Sequence, residues 1–114
     1  MPLSVNNSIS ALNALATRQG VAANNVANVE SKEFKKSTAI LKEGPTGAVS
    51  ATVQPVNTPG TMINHPNGSL EELSNVDLGQ ELVGMIPTQR GYEANLKALQ
   101  ANGEMEDSVI DLIG

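Results

Sequence analysis

The chain has no cysteine and no tryptophan, and Phe34 and Tyr92 are its only aromatic residues. Without cysteine there can be no disulfide, thiolate metal site or thiol nucleophile. Without large aromatics a dense, self-sufficient core is out of reach, because such side chains supply much of the apolar area that a compact domain buries. Small and aliphatic residues must do the packing across 114 positions. That suits long helix seams, with partner subunits completing the burial. No apolar run approaches the length of a membrane span, so direct membrane insertion is not expected. The first residues, Met1-Pro2-Leu3-Ser4-Val5-Asn6-Asn7, lack the basic and apolar regions of a cleavable signal.

Basic residues are scarce beyond the first third. Residues 1–43 carry five bases against three acids, and residues 44–114 carry two bases against nine, which together give the net charge of −5. An acidic chain without a dense positive face excludes nucleic acid as a natural partner. Attraction between the two parts, or between neighbouring copies, is the simpler use of the asymmetry. Salt screens exposed charges, so it biases register more than it adds affinity.

What the chain does have is a matching apolar stripe at each end. Val5, Ile9, Leu12, Ala16, Gln19, Ala23 and Val26 recur at spacings of four and three, with Leu15, Ala22 and Val29 alongside. Leu82, Met85, Gln89, Tyr92, Leu96, Leu99, Gly103, Glu106, Ile110 and Ile113 repeat the pattern near the other end. Two positions per seven residues is the seam one helix offers another. The first helix is expected from Ser4, as cap, to about Asn28. Gly20 and the cluster Asn24, Asn25 and Asn28 weaken its second half. Ser74, Asn75 and Asp77 provide cap residues for the last helix, and Pro87 is expected to bend or interrupt it between Met85 and Gln89.

Between the stripes the pattern changes to short strands and turns. Residues 37–41, 48–56 and 61–63 read as three strands of one small sheet leaning on the helices, with a hairpin turn at Glu43-Gly44-Pro45-Thr46-Gly47. Thr58-Pro59-Gly60-Thr61 fits a type II turn. Leu70 to Leu73 reads as a lead-in to the last helix.

No catalytic, cofactor or metal constellation is present. His65, the lone histidine, sits between Asn64 and Pro66 with no acid beside it and reads as a surface turn residue. Glu71 with Glu72, and Glu106 with Asp107, read as solvated pairs. The glycines do not form a phosphate loop. Lys32, Lys35, Lys36 and Lys42 are either ordinary decoration of a loop and strand edge or a contact for an acidic neighbour. Gln19, Gln89, Asn24, Asn25, Arg90 and Asn95 are either ordinary polar residues of helix faces and ends or register-fixing groups between packed helices.

The residues Val21-Ala22-Ala23-Asn24-Asn25-Val26-Ala27-Asn28-Val29, followed by Phe34-Lys35-Lys36, resemble the N-terminal motif of bacterial flagellar rod and hook proteins. Ser74-Asn75-Val76-Asp77-Leu78, Glu81-Leu82-Val83-Gly84-Met85-Ile86 and Gln89-Arg90-Gly91-Tyr92-Glu93-Ala94-Asn95 resemble the family's other terminal motif. The resemblance implies an axial subunit of the basal body, exported by the flagellar type III apparatus without signal cleavage into the periplasmic rod. Its partners would be copies of itself and other rod and hook proteins. It further implies that Asn24, Asn25, Asn28, Phe34, Asn75, Asp77, Gln89, Arg90, Tyr92 and Asn95 pack helices or subunits. Where the family usually places Gly before the Phe, this chain has Glu33. The short middle favours a proximal-rod-type or accessory member.

The expected fold is α+β: two long terminal helices packed as an antiparallel, coiled-coil-like pair around a small antiparallel β insertion. The divisions are 1–30, 31–73 and 74–114. The expected function is polymerisation into a hollow, torque-transmitting tube, since heterologous contacts that do not close generate filaments. Ile9, Leu12, Leu15, Leu82, Met85, Leu96 and Leu99 are its candidate seam residues. The alternative is a small helical adaptor that binds axial components at fixed stoichiometry.

Overall fold

The computed structural model describes residues 2–113, with side chains from Val5 onward. In chain order it contains helix α1 (Pro2–Ala27), strands β1 (Ser37–Glu43), β2 (Val49–Pro55), β3 (Met62–Asn64) and β4 (Leu70–Glu72), and helix α2 (Leu78–Ile113). The fold is α+β, with the two helices packed against each other. Helix α1 starts two residues before the expected cap, because proline is well suited to a first helical position. The Ser4 side chain lies outside the described residues.

Helix α2 is capped as its sequence demands: the Asp77 carboxylate accepts the Gln80 N–H at 3.2 Å and the Asp77 carbonyl accepts the Glu81 N–H. Pro87 lies inside the helix, which continues through it as a single element. Thr88, 3% exposed, packs into the helix pair next to the proline, and its hydroxyl donates to the Gly84 carbonyl at 3.1 Å. Tertiary packing thus offsets the backbone bond that proline removes.

The helices run antiparallel. Asn25 near the end of α1 bonds Glu81 in the first turn of α2, while Gly91 lies where an added Cβ would be 3.4 Å from Leu15. On its other side α1 packs against both strands of the β1–β2 hairpin. The hairpin pairs Ser37 with Pro55 through Glu43 with Val49. Its Gly44-Pro45-Thr46-Gly47 turn closes with a Gly47 N–H to Gly44 carbonyl bond and Gly47 at φ 88°. Asn7 on α1 donates to the Thr46 carbonyl at 3.1 Å, and Ser10 accepts the Val49 N–H at 2.9 Å. These two bonds lay the hairpin along the helix.

The middle segment departs from expectation in three ways. Residues 61–63 do not join the first sheet; β3 pairs with β4 in a second two-stranded sheet. Residues 70–72 are therefore a strand rather than a helix lead-in, since β3 supplies the partner their alternating side chains need. Gly60 does not take the positive φ that a type II turn requires. It is small for another reason: a Cβ there would lie 1.9 Å from the Leu73 carbonyl oxygen. Leu73 donates its N–H to the Thr61 carbonyl at 2.8 Å, which draws the two segments together.

The result is long and thin, at 81 × 24 × 14 Å, with a radius of gyration of 20.3 Å. A compact chain of this length would have about 13 Å. Among the described residues the core is correspondingly sparse: Ala14 and Ala39 are its buried apolar side chains, beside buried Asn25, Ser74 and Thr88.

Glu33 adopts the left-handed conformation, at φ 58°, immediately before Phe34. The turn for which the resembling proteins use glycine is thus kept here by a residue that is strained in it. Glu33→Gly is expected to raise stability by about 0.5–1 kcal/mol, read as a higher urea midpoint at unchanged slope.

Candidate functional site

Asn25 is 1% exposed and the only side chain of its size buried so completely among the described residues. Its Oδ1 accepts the Ser37 N–H at 3.0 Å, and its Nδ2 donates to the Ser37 carbonyl at 2.8 Å and to Glu81 Oε1 at 3.2 Å. One amide therefore joins α1, the first residue of β1 and the first turn of α2. All its donors and its acceptor are used, which is what makes so buried a polar group tolerable.

Asn75 is a second junction of the same kind. Its Oδ1 accepts the Lys36 N–H at 2.7 Å, its Nδ2 donates to the carbonyls of Val56 and Thr58, and its own N–H donates to the Phe34 carbonyl. It ties the approach to α2 to both ends of the first hairpin. By contrast Asn24 and Asn28 bond each other and, through Asn28 Oδ1, the Ser31 hydroxyl, finishing the end of α1.

The second hairpin does not pack on either helix. Ion pairs hold it to the loop after α1: Lys32 meets Glu71 at 3.1 Å and Lys35 bonds Glu72, whose oxygen also accepts the Gly60 N–H. His65 has a carboxylate partner after all, Glu71 across the hairpin at 2.6 Å, which pairing of the strands brings within reach. Lys32 and Lys35 thus bind acids of their own chain. Hydrogen bonds from His65 and then Lys32 hold the Glu71 carboxyl below its usual range; Lys35 and then the Gly60 N–H do the same for Glu72.

The helix seam lies one position away from the predicted stripe. The more covered face of α2 runs through Glu81, Met85, Thr88, Gly91, Asn95, Leu99 and Asn102. Met85 and Leu99 of the stripe belong to it. Leu82, Gln89, Tyr92 and Leu96 are exposed, as is Ile9 on α1, while Leu12 and Leu15 are half-buried. The small residues Gly91 and Thr88 lie on the covered face of α2, where Gly91 lets Leu15 of α1 approach the backbone, and the large side chains are turned outward. Arg90 is exposed, Asp77 caps α2, and Asn95 donates to the Gly91 carbonyl within its own helix.

Turning the stripe outward opens a groove of about 590 Å³ along the helix pair, lined by Leu15, Ala16, Gln19, Gly20, Ala23, Thr88, Gln89, Tyr92, Glu93 and Leu96. Gln19 Oε1 is buried in it with no hydrogen-bond partner among the described residues. On the opposite side, Arg18, Lys36 and Glu81 border a cleft of about 500 Å³, where Asn25 and Ser37 are already bonded together. Among the described residues no group of three His, Asp or Glu could hold a metal, and no helix is long and apolar enough to cross a membrane. Sequence reasoning missed Ser37 and Glu81, the partners of Asn25. An acid in a first helical turn is commonplace, so Glu81 carried no signal of its own.

A pair of helices closed by amides at one end, with its larger apolar side chains turned out, is the architecture of a structural packing module. The family model described as "Flagella basal body rod protein" matches residues 6–35, and that described as "Flagellar basal body rod FlgEFG protein C-terminal" matches residues 67–112. The flagellar hook protein FlgE of Brucella suis biovar 1 (strain 1330) is 48% identical over 46 residues, covering 40% of this chain and 11% of that protein. FlgE of Escherichia coli (strain K12) is 41% identical over 46 residues with the same coverage, and FlgE of Treponema pallidum (strain Nichols) 44% over 41 residues. The matched stretch thus spans about a tenth of these relatives' length. Both terminal signatures of the flagellar rod and hook axial proteins are thus matched in order, one at each end of the chain.

Asn25→Ala leaves the N–H and carbonyl of Ser37 without partners and is expected to cost about 2–4 kcal/mol in urea unfolding, against about 0.5 kcal/mol or less for exposed Asn24→Ala. The second hairpin should respond to acid. Depressed carboxyls contribute stability that is complete above their unfolded pKa of about 4.3 and lost as pH falls through the lower folded values. Amide chemical shifts of Glu33 and Leu73 are therefore expected to stay constant from pH 7 to 5 and to move toward undocked values below about pH 4.

Proposed function

We propose that this chain is a structural subunit of the flagellar basal-body rod that polymerises through its terminal helices into a hollow, torque-transmitting tube. The observation that carries the proposal is the outward groove: Tyr92 and Leu96, at 39% and 48% exposure, line an apolar channel with a buried, unpartnered Gln19 oxygen. An elongated chain with so small a core gains most of its missing burial from neighbours. The role is structural rather than catalytic.

Residues 1–30 and 74–114 would form the rod core and 31–73 the outer insertion. Within the core, Ile9, Leu82, Gln89, Arg90, Tyr92 and Leu96 face neighbouring subunits. Leu12, Leu15, Asn25, Met85, Asn95 and Leu99 hold the helix pair that presents them, while Asn24, Asn28, Phe34, Asn75 and Asp77 fix its junction with the insertion. The two matched regions leave few residues between them, which favours a proximal-rod-type member over one with a large outer domain. Its partners would be its own copies and other axial proteins, reached in the periplasm after type III export without signal cleavage.

Leu96→Asp puts a charge into the groove without touching the helix seam. It is expected to abolish polymer, measured as sedimentable protein and filaments by electron microscopy, while circular dichroism of the soluble chain stays unchanged. Normal assembly of this variant would refute the groove as a subunit contact. A fixed small oligomer at every concentration would favour the adaptor.

A further inference from the structure

Asparagine precedes glycine at two places, Asn67-Gly68 and Asn102-Gly103. Glycine has no side chain to shield its backbone nitrogen, so that nitrogen can reach the side-chain amide of the residue before it. The fold treats the two pairs differently. Asn102 and Gly103 lie inside α2, where the helix ladder holds each N–H to the carbonyl four residues earlier. Asn67 and Gly68 are exposed at the tip of the second hairpin, whose strands pack on neither helix.

The surroundings of Asn67 activate its amide. Its Oδ1 accepts both the Ser69 N–H at 3.0 Å and the Ser69 hydroxyl at 2.6 Å. Two donors on one carbonyl oxygen draw electrons from Cγ and stabilise negative charge that develops on that oxygen, as an oxyanion hole does. Gly68 stands at φ 87° with open space where a Cβ would be. Its N–H donates to the His65 carbonyl at 2.9 Å, and this single exposed turn bond is what has to open before the nitrogen can attack.

We propose that Asn67 is a site of spontaneous deamidation promoted by the two donors of Ser69, whatever the mode of subunit assembly. The Gly68 nitrogen gives its proton to a solvent base and bonds to Cγ of Asn67. The Cγ–Nδ2 bond breaks, and Nδ2 takes a proton from water and leaves as ammonia. Water then opens the cyclic succinimide: attack at Cγ yields aspartate, and attack at the main-chain carbonyl yields isoaspartate, in which the chain runs through Cβ. In sum one water is consumed and one ammonia released. Either product adds a negative charge to the insertion. Isoaspartate also adds a methylene to the loop that the His65 N–H to Ser69 carbonyl bond closes, and so loosens the turn that holds His65 against Glu71.

The test follows the peptides of the full-length chain by mass spectrometry during incubation of the folded protein at mildly alkaline pH. The peptide containing Asn67 is expected to gain about 1 Da in ordinary water and about 3 Da in water labelled with oxygen-18. Aspartate and isoaspartate should both form, at a rate that rises with pH, while the peptide containing Asn102 stays intact until urea unfolds the helix. Ser69→Ala removes the hydroxyl donor at an exposed position, and it should slow conversion of the folded chain about two- to tenfold, a difference that disappears in urea.

An Asn67 that stays intact in the folded chain while reacting in urea overturns the proposal, because the turn then protects the amide. Aspartate without isoaspartate overturns it by excluding the cyclic intermediate. Equal rates for folded Ser69→Ala and the natural chain overturn the promotion by Ser69.

Discussion

Everything in this structure hangs from the buried amide of Asn25. By bonding both backbone groups of Ser37 and the carboxylate of Glu81, it fixes the end of α1 to the start of β1 and the start of α2 at a single point. Because apolar burial is so sparse, hydrogen bonds set the relative placement of the elements. Asn75 repeats the device on the other side of the junction, joining the segments around Phe34, Lys36 and Thr58. Buried amides are demanding, since each tolerates only one arrangement of its neighbours. They trade stability for a defined register.

That register determines which side chains are left for other molecules. With Asn25 against Glu81, Gly91 falls in the seam opposite Leu15, and Leu82, Tyr92 and Leu96 are turned outward. A single protomer thus has an incompletely filled interior and a well-formed apolar exterior. Such a balance is unfavourable for a free monomer and favourable for a subunit that is buried on assembly. The second hairpin is governed separately, through ion pairs at Glu71 and Glu72 that leave it standing clear of the helices.

The stripes and the long helices were legible in the sequence because periodicity is a property of many residues at once. Face assignment within a stripe was not, because Leu96 and Leu99 look equally apolar and only the packed backbone decides between them. The first hairpin was legible from Gly44, Pro45 and Gly47. The second was hidden because Leu70-Glu71-Glu72 is too short and acidic to read as a strand until β3 is beside it. The amide junctions were visible only as a cluster of asparagines. Their partners, Ser37 and Glu81, lie 12 and 56 residues away, and nothing local marks them.

The most direct test is a cryo-electron microscopy reconstruction of the flagellar axis that contains this chain. The expected map places α1 and α2 at the inner radius, with Asn25 still bridging them and the groove between Leu15 and Leu96 filled by a neighbouring subunit. A map in which that groove faces solvent or the open channel, with the helices separated, would contradict the idea that the register set by Asn25 creates the assembly surface.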